Sequence, residues 1–176
     1  MRRRGLPSPT SLLLVALLAL TASGCDLETS GGERSGPEAD PGEAVVAPVL
    51  KVVDGDTIRV ELDGRSEPVR YIGINTPESN PDQPRECFGP QAAAANRELV
   101  EGERVRLVFD AEPRDRYDRL LAYVYLADDE TFVNAELVRR GYARTLTIEP
   151  NTRYRSLFDR LQQEAANAGR GLWGEC

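Results

Sequence analysis

The 176-residue sequence carries a formal net charge of -7 and contains no histidine. Its length suits a single domain of ordinary size with a tail, and such a domain can bury a real core. The absence of histidine excludes imidazole bases, histidine zinc sites and Ser–His or Cys–His nucleophile pairs. The acidic balance argues against a passive nucleic-acid binder that relies on bulk charge, but it is compatible with a metal enzyme that uses carboxylate ligands.

The first 25 residues have the pattern of an export signal. Three arginines at positions 2–4 precede an unbroken apolar run, Leu12–Leu20. The run is too short to span a bilayer and predicts a signal peptide over residues 1–24. The small residues directly before Cys25 resemble a bacterial lipobox, in which the cysteine is lipidated. We therefore expect an exported protein anchored to the cell-envelope membrane through Cys25, whereas ordinary cleavage near Cys25 would give a secreted protein.

The stretch from 25 to 43 predicts a flexible acidic tether, because it is rich in Gly, Pro, Ser and acidic residues. The predicted domain, residues 44–176, carries 18 basic and 23 acidic residues. Its two cysteines, Cys87 and Cys176, are candidates for one disulfide in an oxidising compartment, and two unpaired thiols are the alternative.

The domain begins with strand patterns. Asp54-Gly55 is a turn signal ahead of the alternating run Thr57–Leu62. The run Val69–Ile74 has apolar residues at both parities, which predicts one strand covered on both faces. Arg70 lies within that strand, so its guanidinium needs a partner or an anion.

The rest of the domain alternates between helix and strand patterns. Helices are predicted over 90–100, 132–140 and 152–168, and extended segments over 104–109, 120–126 and 143–148. The predicted fold class is α+β, mainly β, with a small antiparallel barrel and about three attached helices.

Three polar clusters are candidates for a functional site. VVDGDTI contains Asp54 and Asp56, VRYIGINTPES contains Arg70, Asn75, Thr76 and Glu78, and RDRYDRLLAYVYL contains Asp115, Tyr117 and Arg119. Taken singly, each has a structural explanation: a hairpin turn, a helix start and a solvated hairpin tip.

Together the clusters supply a chemical set. The Asp56 carboxylate, the Asn75 amide and the Thr76 carbonyl are hard oxygen donors that suit Ca²⁺. Glu78 is a candidate base for a water, and two arginines suit bidentate contact with a phosphate. This set predicts metal-assisted attack on a phosphodiester without histidine.

Four ordered blocks, VVDGDTI, VRYIGINTPES, DRYDRLLAYVYL and FVNAELVRRGYA, resemble the thermonuclease family, also called staphylococcal nuclease-like, over roughly residues 46 to 173. The resemblance implies an OB-fold five-stranded barrel with three helices. It also implies Ca²⁺-dependent hydrolysis of DNA and RNA, in which P–O5′ cleavage leaves 3′-phosphates. We expect the protein to act as a monomer.

The resemblance also implies a role for each matching residue. Calcium would be ligated by Asp56, Asn75 and the carbonyl of Thr76. Asp54 would support these ligands without contacting the ion. Glu78 would orient or deprotonate the attacking water. The phosphate would be held by Arg70 and Arg119, and the nucleotide would lie against Tyr117.

Two positions depart from the family pattern. Asn75 stands where the best-studied members carry Asp, which predicts weaker calcium affinity, and Leu146 replaces a nucleotide-facing Tyr. These departures keep open a non-catalytic OB-fold module that binds single-stranded nucleic acid or another extracellular polymer. A third interpretation is an envelope protein whose anchor and tether matter more than any site.

Overall fold

The computed structural model describes residues 42–79, 84 and 86–176. The predicted signal peptide, Cys25 and most of the predicted tether lie outside these residues. Within the described residues no helix has the length and apolar character needed to cross a bilayer. This part of the chain forms seven strands and four helices: β1 (Ala44–Val52), β2 (Thr57–Leu62), β3 (Arg65–Tyr71), β4 (Gly73–Asn75), α1 (Gly89–Val100), β5 (Arg104–Val108), β6 (Leu120–Leu126), α2 (Val133–Arg139), β7 (Arg144–Leu146), α3 (Arg155–Asn167) and α4 (Leu172–Glu175).

Five strands close into a barrel in the order β1-β2-β3-β6-β5. This confirms the predicted fold class, a small, mainly β barrel of the OB type with attached helices. Alternation builds the barrel interior, because Ile58, Val60 and Leu62 point inward from β2 while the intervening residues are more exposed. Full burial of each such side chain contributes about 1.5–3 kcal/mol.

One barrel pair is parallel, which differs from the predicted antiparallel barrel. Strands β3 and β6 run in the same direction, with Val69 opposite Leu120 and Arg70 opposite Leu121, whereas the other neighbouring pairs are antiparallel. A parallel pair needs a long crossover connection, and here the chain between β3 and β6 contains α1 and β5. The closure therefore places the end of β3 beside the start of β6.

The prediction of one continuous strand over 69–74 is wrong, because the chain bends after Tyr71. Gly73 adopts φ +80°, a conformation that glycine adopts without strain. A Cβ at Gly73 would also lie 2.5 Å from the ring of Phe158, so the position has no room for a side chain. After the bend, β4 pairs with β7 in a second, two-stranded sheet, and Asn75 lies opposite Arg144.

The helices cover the barrel much as predicted. Helix α1 begins at Gly89 with Pro90 in its first turn, where the missing N–H of proline costs nothing. Helix α3 packs Phe158, Leu161 and Ala165 inward, but it begins at Arg155, three residues later than predicted.

The chain joins the barrel slightly before the predicted boundary at residue 44. The backbone N–H of Gly42 donates to the carbonyl of Phe109 at 3.2 Å, and the N–H of Phe109 donates to the carbonyl of Glu43 at 3.1 Å. These bonds extend the pairing of β1 with β5 by two residues.

A disulfide joins Cys87, just before α1, to Cys176 after α4, with the Cα atoms 6.0 Å apart. It closes a loop with a sequence separation of 89 residues. In the chain-entropy description, a cross-link over a loop of this size stabilises the folded state by roughly 4–5 kcal/mol.

Candidate active site

The turn between β1 and β2 presents the first candidate carboxylate. The N–H of Asp56 donates to Oδ1 of Asp54 at 3.0 Å, which fixes the turn locally. Gly55 separates the two acids, and a Cβ there would lie 2.6 Å from the hydroxyl oxygen of Thr76. The absence of a side chain at residue 55 thus lets Thr76 approach the turn.

Asp56 is buried and its carboxylate is well supplied with donors. Oδ2 accepts the backbone N–H of Thr76 at 2.8 Å and lies 3.0 Å from Nη2 of Arg70, while Oδ1 accepts the hydroxyl of Thr57 at 3.2 Å. Burial raises the pKa of Asp56 from its usual 3.8 to about 6, although the Arg70 guanidinium opposes this shift. The attraction of Arg70 therefore does not fully offset the cost of burying the charged carboxylate, and a further cation beside Asp56 would favour its ionised form.

Arg70 connects the candidate ligands at the end of β3. Its Nη2 donates to Oδ1 of Asn75 at 2.9 Å and pairs with Asp56, while Nη1 donates to the carbonyls of Tyr71 and Ile74 at 2.9 and 3.0 Å. Two of its acceptors are main-chain groups at the Gly73 bend. The bend and the arginine therefore hold each other in place.

The oxygens of Asp56 and Asn75 converge on one point, which a cationic nitrogen occupies. No cluster of three or more His, Cys, Asp or Glu side chains that could hold a metal ion occurs in the described part of the chain. A metal here would thus depend on the Asn75 amide and on backbone carbonyls as well as on Asp56. Calcium accepts such a donor set, so the residues present fit that ion.

Glu78 is held through its main chain. Its N–H donates to Oε2 of Glu86 at 3.1 Å, and its carbonyl accepts the N–H of Glu86 at 3.1 Å. The start of α1 presses on the same peptide, because a Cβ at Gly89 would lie 2.1 Å from the Glu78 carbonyl oxygen. The backbone of Glu78 is therefore fixed on two sides.

Arg119 is oriented by Asp115 in the turn before β6. Nε and Nη2 of Arg119 lie 2.8 and 2.7 Å from Oδ2 of Asp115, and Oδ1 accepts the N–H groups of Tyr117 and Arg119 at 2.9 and 3.0 Å. Burial alone would raise the pKa of Asp115, but the side-chain and backbone hydrogen bonds outweigh it, so the pKa is lowered. Asp115 is thus an ionised anchor for the turn.

The ring of Tyr117 is exposed to solvent and lies beside two guanidiniums. It is 64% exposed, and its centroid lies 4.7 Å from Cζ of Arg116 and 5.6 Å from Cζ of Arg119. An exposed aromatic face beside positive charge can take a nucleobase by stacking while the arginines contact phosphate.

These groups border an open cleft of about 550 Å³. Four predicted site residues line it: Arg70, Asn75, Tyr117 and Arg119. Leu146 and Ile148, which are 40% and 64% exposed, form an apolar part of its wall. Among the described residues, Asp56 and Glu78 do not line this cleft; Asp56 reaches its edge through Arg70, and Glu78 follows Thr76 by two residues.

Three residues that support the site are absent from the sequence-based site prediction: Glu86, Asn96 and Asn151. Asn96 is fully buried on α1, accepts the Tyr71 hydroxyl at 2.9 Å and donates to the Asp54 carbonyl at 2.8 Å. Asn151 exchanges two 2.8 Å hydrogen bonds with the backbone of Glu112 across the cleft rim. A polar residue on the buried face of the alanine-rich helix is the one signal for Asn96, and no local pattern marks the other two.

Comparison with known proteins confirms the resemblance seen in the sequence blocks. A family model described as staphylococcal nuclease homologue matches residues 68–175. The thermonuclease of Staphylococcus intermedius is 40% identical over 126 residues, which cover 71% of this chain and 74% of that protein. The thermonuclease of Staphylococcus hyicus is 32% identical over 165 residues, or 93% of this chain and 96% of that protein. The SPbeta prophage-derived endonuclease YokF of Bacillus subtilis (strain 168) is 39% identical over 138 residues, which cover 76% of this chain and 45% of that protein.

The matched region contains the cleft, both candidate phosphate-binding arginines and Glu78. Its length exceeds half of the chain, and the thermonucleases align over most of their own length. The chain therefore belongs to the staphylococcal nuclease family.

Proposed function

We propose that this protein is a calcium-dependent nuclease that hydrolyses DNA and RNA, breaking the P–O5′ bond and leaving 3′-phosphates. The observation that carries the proposal is the convergence of the Asp56 and Asn75 oxygens on one cationic position at the edge of an arginine-lined cleft. Membership of a family that includes thermonucleases supports it.

The arginines bind the phosphodiester in this proposal. Arg70 and Arg119 both line the cleft, and each guanidinium presents several N–H donors to phosphoryl oxygens. Preorganised positive charge of this kind stabilises the charge that develops on those oxygens in the transition state. Tyr117 contacts the nucleotide, and Leu146 supplies an apolar surface in the wall of the cleft.

Glu78 acts on the attacking water. The water oxygen bonds to phosphorus and gives one proton to Glu78, while the P–O5′ bond breaks and the departing 5′-oxygen takes a proton from solvent. Asp56, Asn75 and the Thr76 carbonyl would hold calcium, which would supply positive charge that stabilises the phosphoryl oxygens. Asp54 fixes the turn that carries Asp56.

The acidic balance of the chain does not oppose a polyanionic substrate. Arg70, Arg116 and Arg119 line the cleft. Salt largely screens charges that lie more than a Debye length away, so a phosphodiester in the cleft interacts mainly with these nearby arginines and not with the net charge of the chain. Weak non-specific affinity for nucleic acid is nevertheless expected, because acidic residues outnumber basic ones in the domain.

The test is a nuclease assay on the full chain with fluorescent single-stranded DNA and RNA, in a calcium titration and in EGTA. Cleavage that requires Ca²⁺ and yields products sensitive to a 3′-phosphatase supports the proposal. The matched control is Glu78→Gln, which keeps the side-chain shape and removes the base. Inactivity of the wild-type protein across millimolar Ca²⁺ overturns the proposal.

A non-catalytic module for single-stranded nucleic acid is the second candidate, favoured by the missing negative charge at Asn75 and the aliphatic Leu146. Binding of the same oligonucleotides in EGTA, with no cleavage in calcium, selects this candidate.

We also propose, on the sequence pattern alone, that the protein is exported and anchored through lipid at Cys25. Incorporation of labelled fatty acid by the wild-type chain, lost in Cys25→Ala, tests this proposal.

A further inference from the structure

The disulfide lies close to the candidate base. Cys87 directly follows Glu86, and Glu86 makes both hydrogen bonds to the backbone of Glu78. The N–H of Gly89 also donates to the carbonyl of Glu86 at 3.1 Å, so residues 86–89 form a compact turn ahead of α1. The covalent link at Cys87 therefore acts on the same turn that holds Glu78.

The other end of the disulfide is fixed to the core. Leu172, the first residue of α4, is 1% exposed, and its N–H donates to the carbonyl of Gly141 at 2.9 Å. Gly141 and Gly171 touch closely, since a Cβ at Gly171 would lie 2.4 Å from the Gly141 carbonyl oxygen. The N–H of Cys176 then donates to the carbonyl of Leu172 at 3.2 Å. Cys176 is thus a rigid attachment point rather than a loose chain end.

We propose that the Cys87–Cys176 disulfide and the Glu86 side chain are positioning elements for Glu78. The disulfide fixes the turn at residues 86–89 to α4, and Glu86 transmits this restraint to the Glu78 peptide. This inference rests on the proposed role of Glu78 in activating water. A displacement of the base by about 1 Å is enough to cost roughly 10²-fold in rate, so such a restraint affects catalysis directly.

The restraint is separable from folding of α1. Ala92, Ala95 and Asn96 are buried along the helix and pack α1 against the rest of the domain. These contacts remain when the disulfide is absent. Loss of the disulfide therefore loosens the turn and the Glu78 peptide while α1 stays packed.

The first experiment compares the full chain with the double variant Cys87→Ser/Cys176→Ser. We expect kcat to fall about tenfold or more and KM to stay within about twofold, because Arg119 and Tyr117 lie on a different turn. The cysteines are exposed, so dithiothreitol gives the same result on the wild-type protein. It reduces the disulfide to two thiols and is itself oxidised to a cyclic disulfide.

The second experiment separates the side chain from the cross-link. Glu86→Ala removes the acceptor of the Glu78 N–H and is expected to lower kcat to a similar extent, whereas Glu86→Gln keeps an acceptor oxygen and restores most of the rate. Glu98→Gln, the same change on the exposed face of α1, is the matched control with unchanged kcat. When Glu86→Ala is combined with the double serine variant, the losses are expected to be less than additive because both act on one peptide.

A third readout does not depend on activity. Hydrogen exchange of the Glu78 amide, followed by NMR, is expected to be at least about tenfold faster in the double serine variant and in Glu86→Ala than in the wild type. A serine variant with wild-type kcat and wild-type exchange at Glu78, whatever its melting temperature, overturns the inference. Faster exchange at Glu78 in a protein whose wild type cuts no nucleic acid supports the positioning and instead refutes the proposed nuclease function.

Discussion

The guanidinium of Arg70 lies against the carboxylate of Asp56, with Nη2 3.0 Å from Oδ2. The same nitrogen donates to Asn75, so the arginine contacts both side chains that are proposed to hold calcium. Arg70 and the metal therefore compete for the same oxygens. Calcium binding would release Nη2 from these oxygens and leave it available to the phosphodiester.

The first prediction concerns this competition. Arg70→Gln removes the positive charge that occupies the ligands, so calcium affinity is expected to rise severalfold while kcat falls by several orders of magnitude. Isothermal titration with Ca²⁺ and a cleavage assay measure the two effects. Arg59→Gln, which alters an arginine bonded to Ser66 on the barrel exterior, is the control for net charge. Unchanged or weaker calcium binding in Arg70→Gln would show that the arginine does not compete.

The second prediction concerns the amide at the same site. Asn75→Asp adds a negative charge beside the cation, so we expect calcium affinity to rise by about tenfold or more, consistent with close charge pairs in a partly buried site. Without metal, the new carboxylate also pairs with Arg70 and is expected to raise the melting temperature. Asn75→Ala is the matched control and should weaken calcium binding. Equal calcium affinity in all three proteins would exclude Asn75 as a ligand.

The third prediction concerns Asp115. Its pKa lies below the usual 3.8 in the folded protein, so its contribution to stability is present above that pH and is lost as the pH falls through the folded pKa. Asp115→Asn is expected to be less stable than the wild type in urea denaturation at pH 7, and the difference is expected to shrink as the pH is lowered below 3.8. Its kcat should also fall, because Arg119 loses its partner. A stability difference that does not change with pH would contradict the assigned ionisation.

The fourth prediction concerns the buried amide on α1. Asn96→Ala leaves the Tyr71 hydroxyl and the Asp54 carbonyl without their partner, so the free energy of unfolding is expected to fall by about 2–4 kcal/mol. Tyr71→Phe removes only one hydrogen bond and should cost about 1 kcal/mol. The double variant completes a thermodynamic cycle measured by urea denaturation. Strictly additive losses would show that the two side chains are not coupled.

The local pattern of apolar and polar residues correctly predicts those strands and helices whose buried faces are evident from their own sequence. The extent of β6 was predicted to the residue, because its apolar run is bounded by the turn at Asp118-Arg119. The sequence does not predict the bend at Gly73 because the apolar pattern continues through it, and the contact that leaves no room for a side chain there comes from Phe158, a residue on α3 that no local window contains. The parallel pairing of β3 with β6 is likewise set by closure of the whole barrel.

The same distinction applies to the site. Acids, amides and arginines within single motifs were selected from their chemistry and their spacing, and the structure brings Arg70, Asp56 and Asn75 into direct contact. Glu86 and Asn96 act on partners eight and 42 residues away, so neither could be assigned from the motif that it supports. The fixed position of Cys176, the disulfide partner of Cys87, depends on the contact of Gly141 with Gly171, which is also non-local.

The parallel pairing of β3 with β6 has a consequence for how this chain tolerates changes in length. Arg70 is in register with Leu121, and Arg119 lies two residues before Leu121. The relative position of the two guanidiniums therefore depends on the number of residues between Arg119 and Leu121. Insertions in the surface turns at Asp63-Gly64 or at Asp128-Asp129 leave that count unchanged. A residue added between Arg119 and Leu121 would shift it by one, and a residue added anywhere inside β6 would reverse the faces of the side chains that follow it. Homologous chains are therefore expected to vary in length at those turns and to keep a constant number of residues from Arg119 to Leu126.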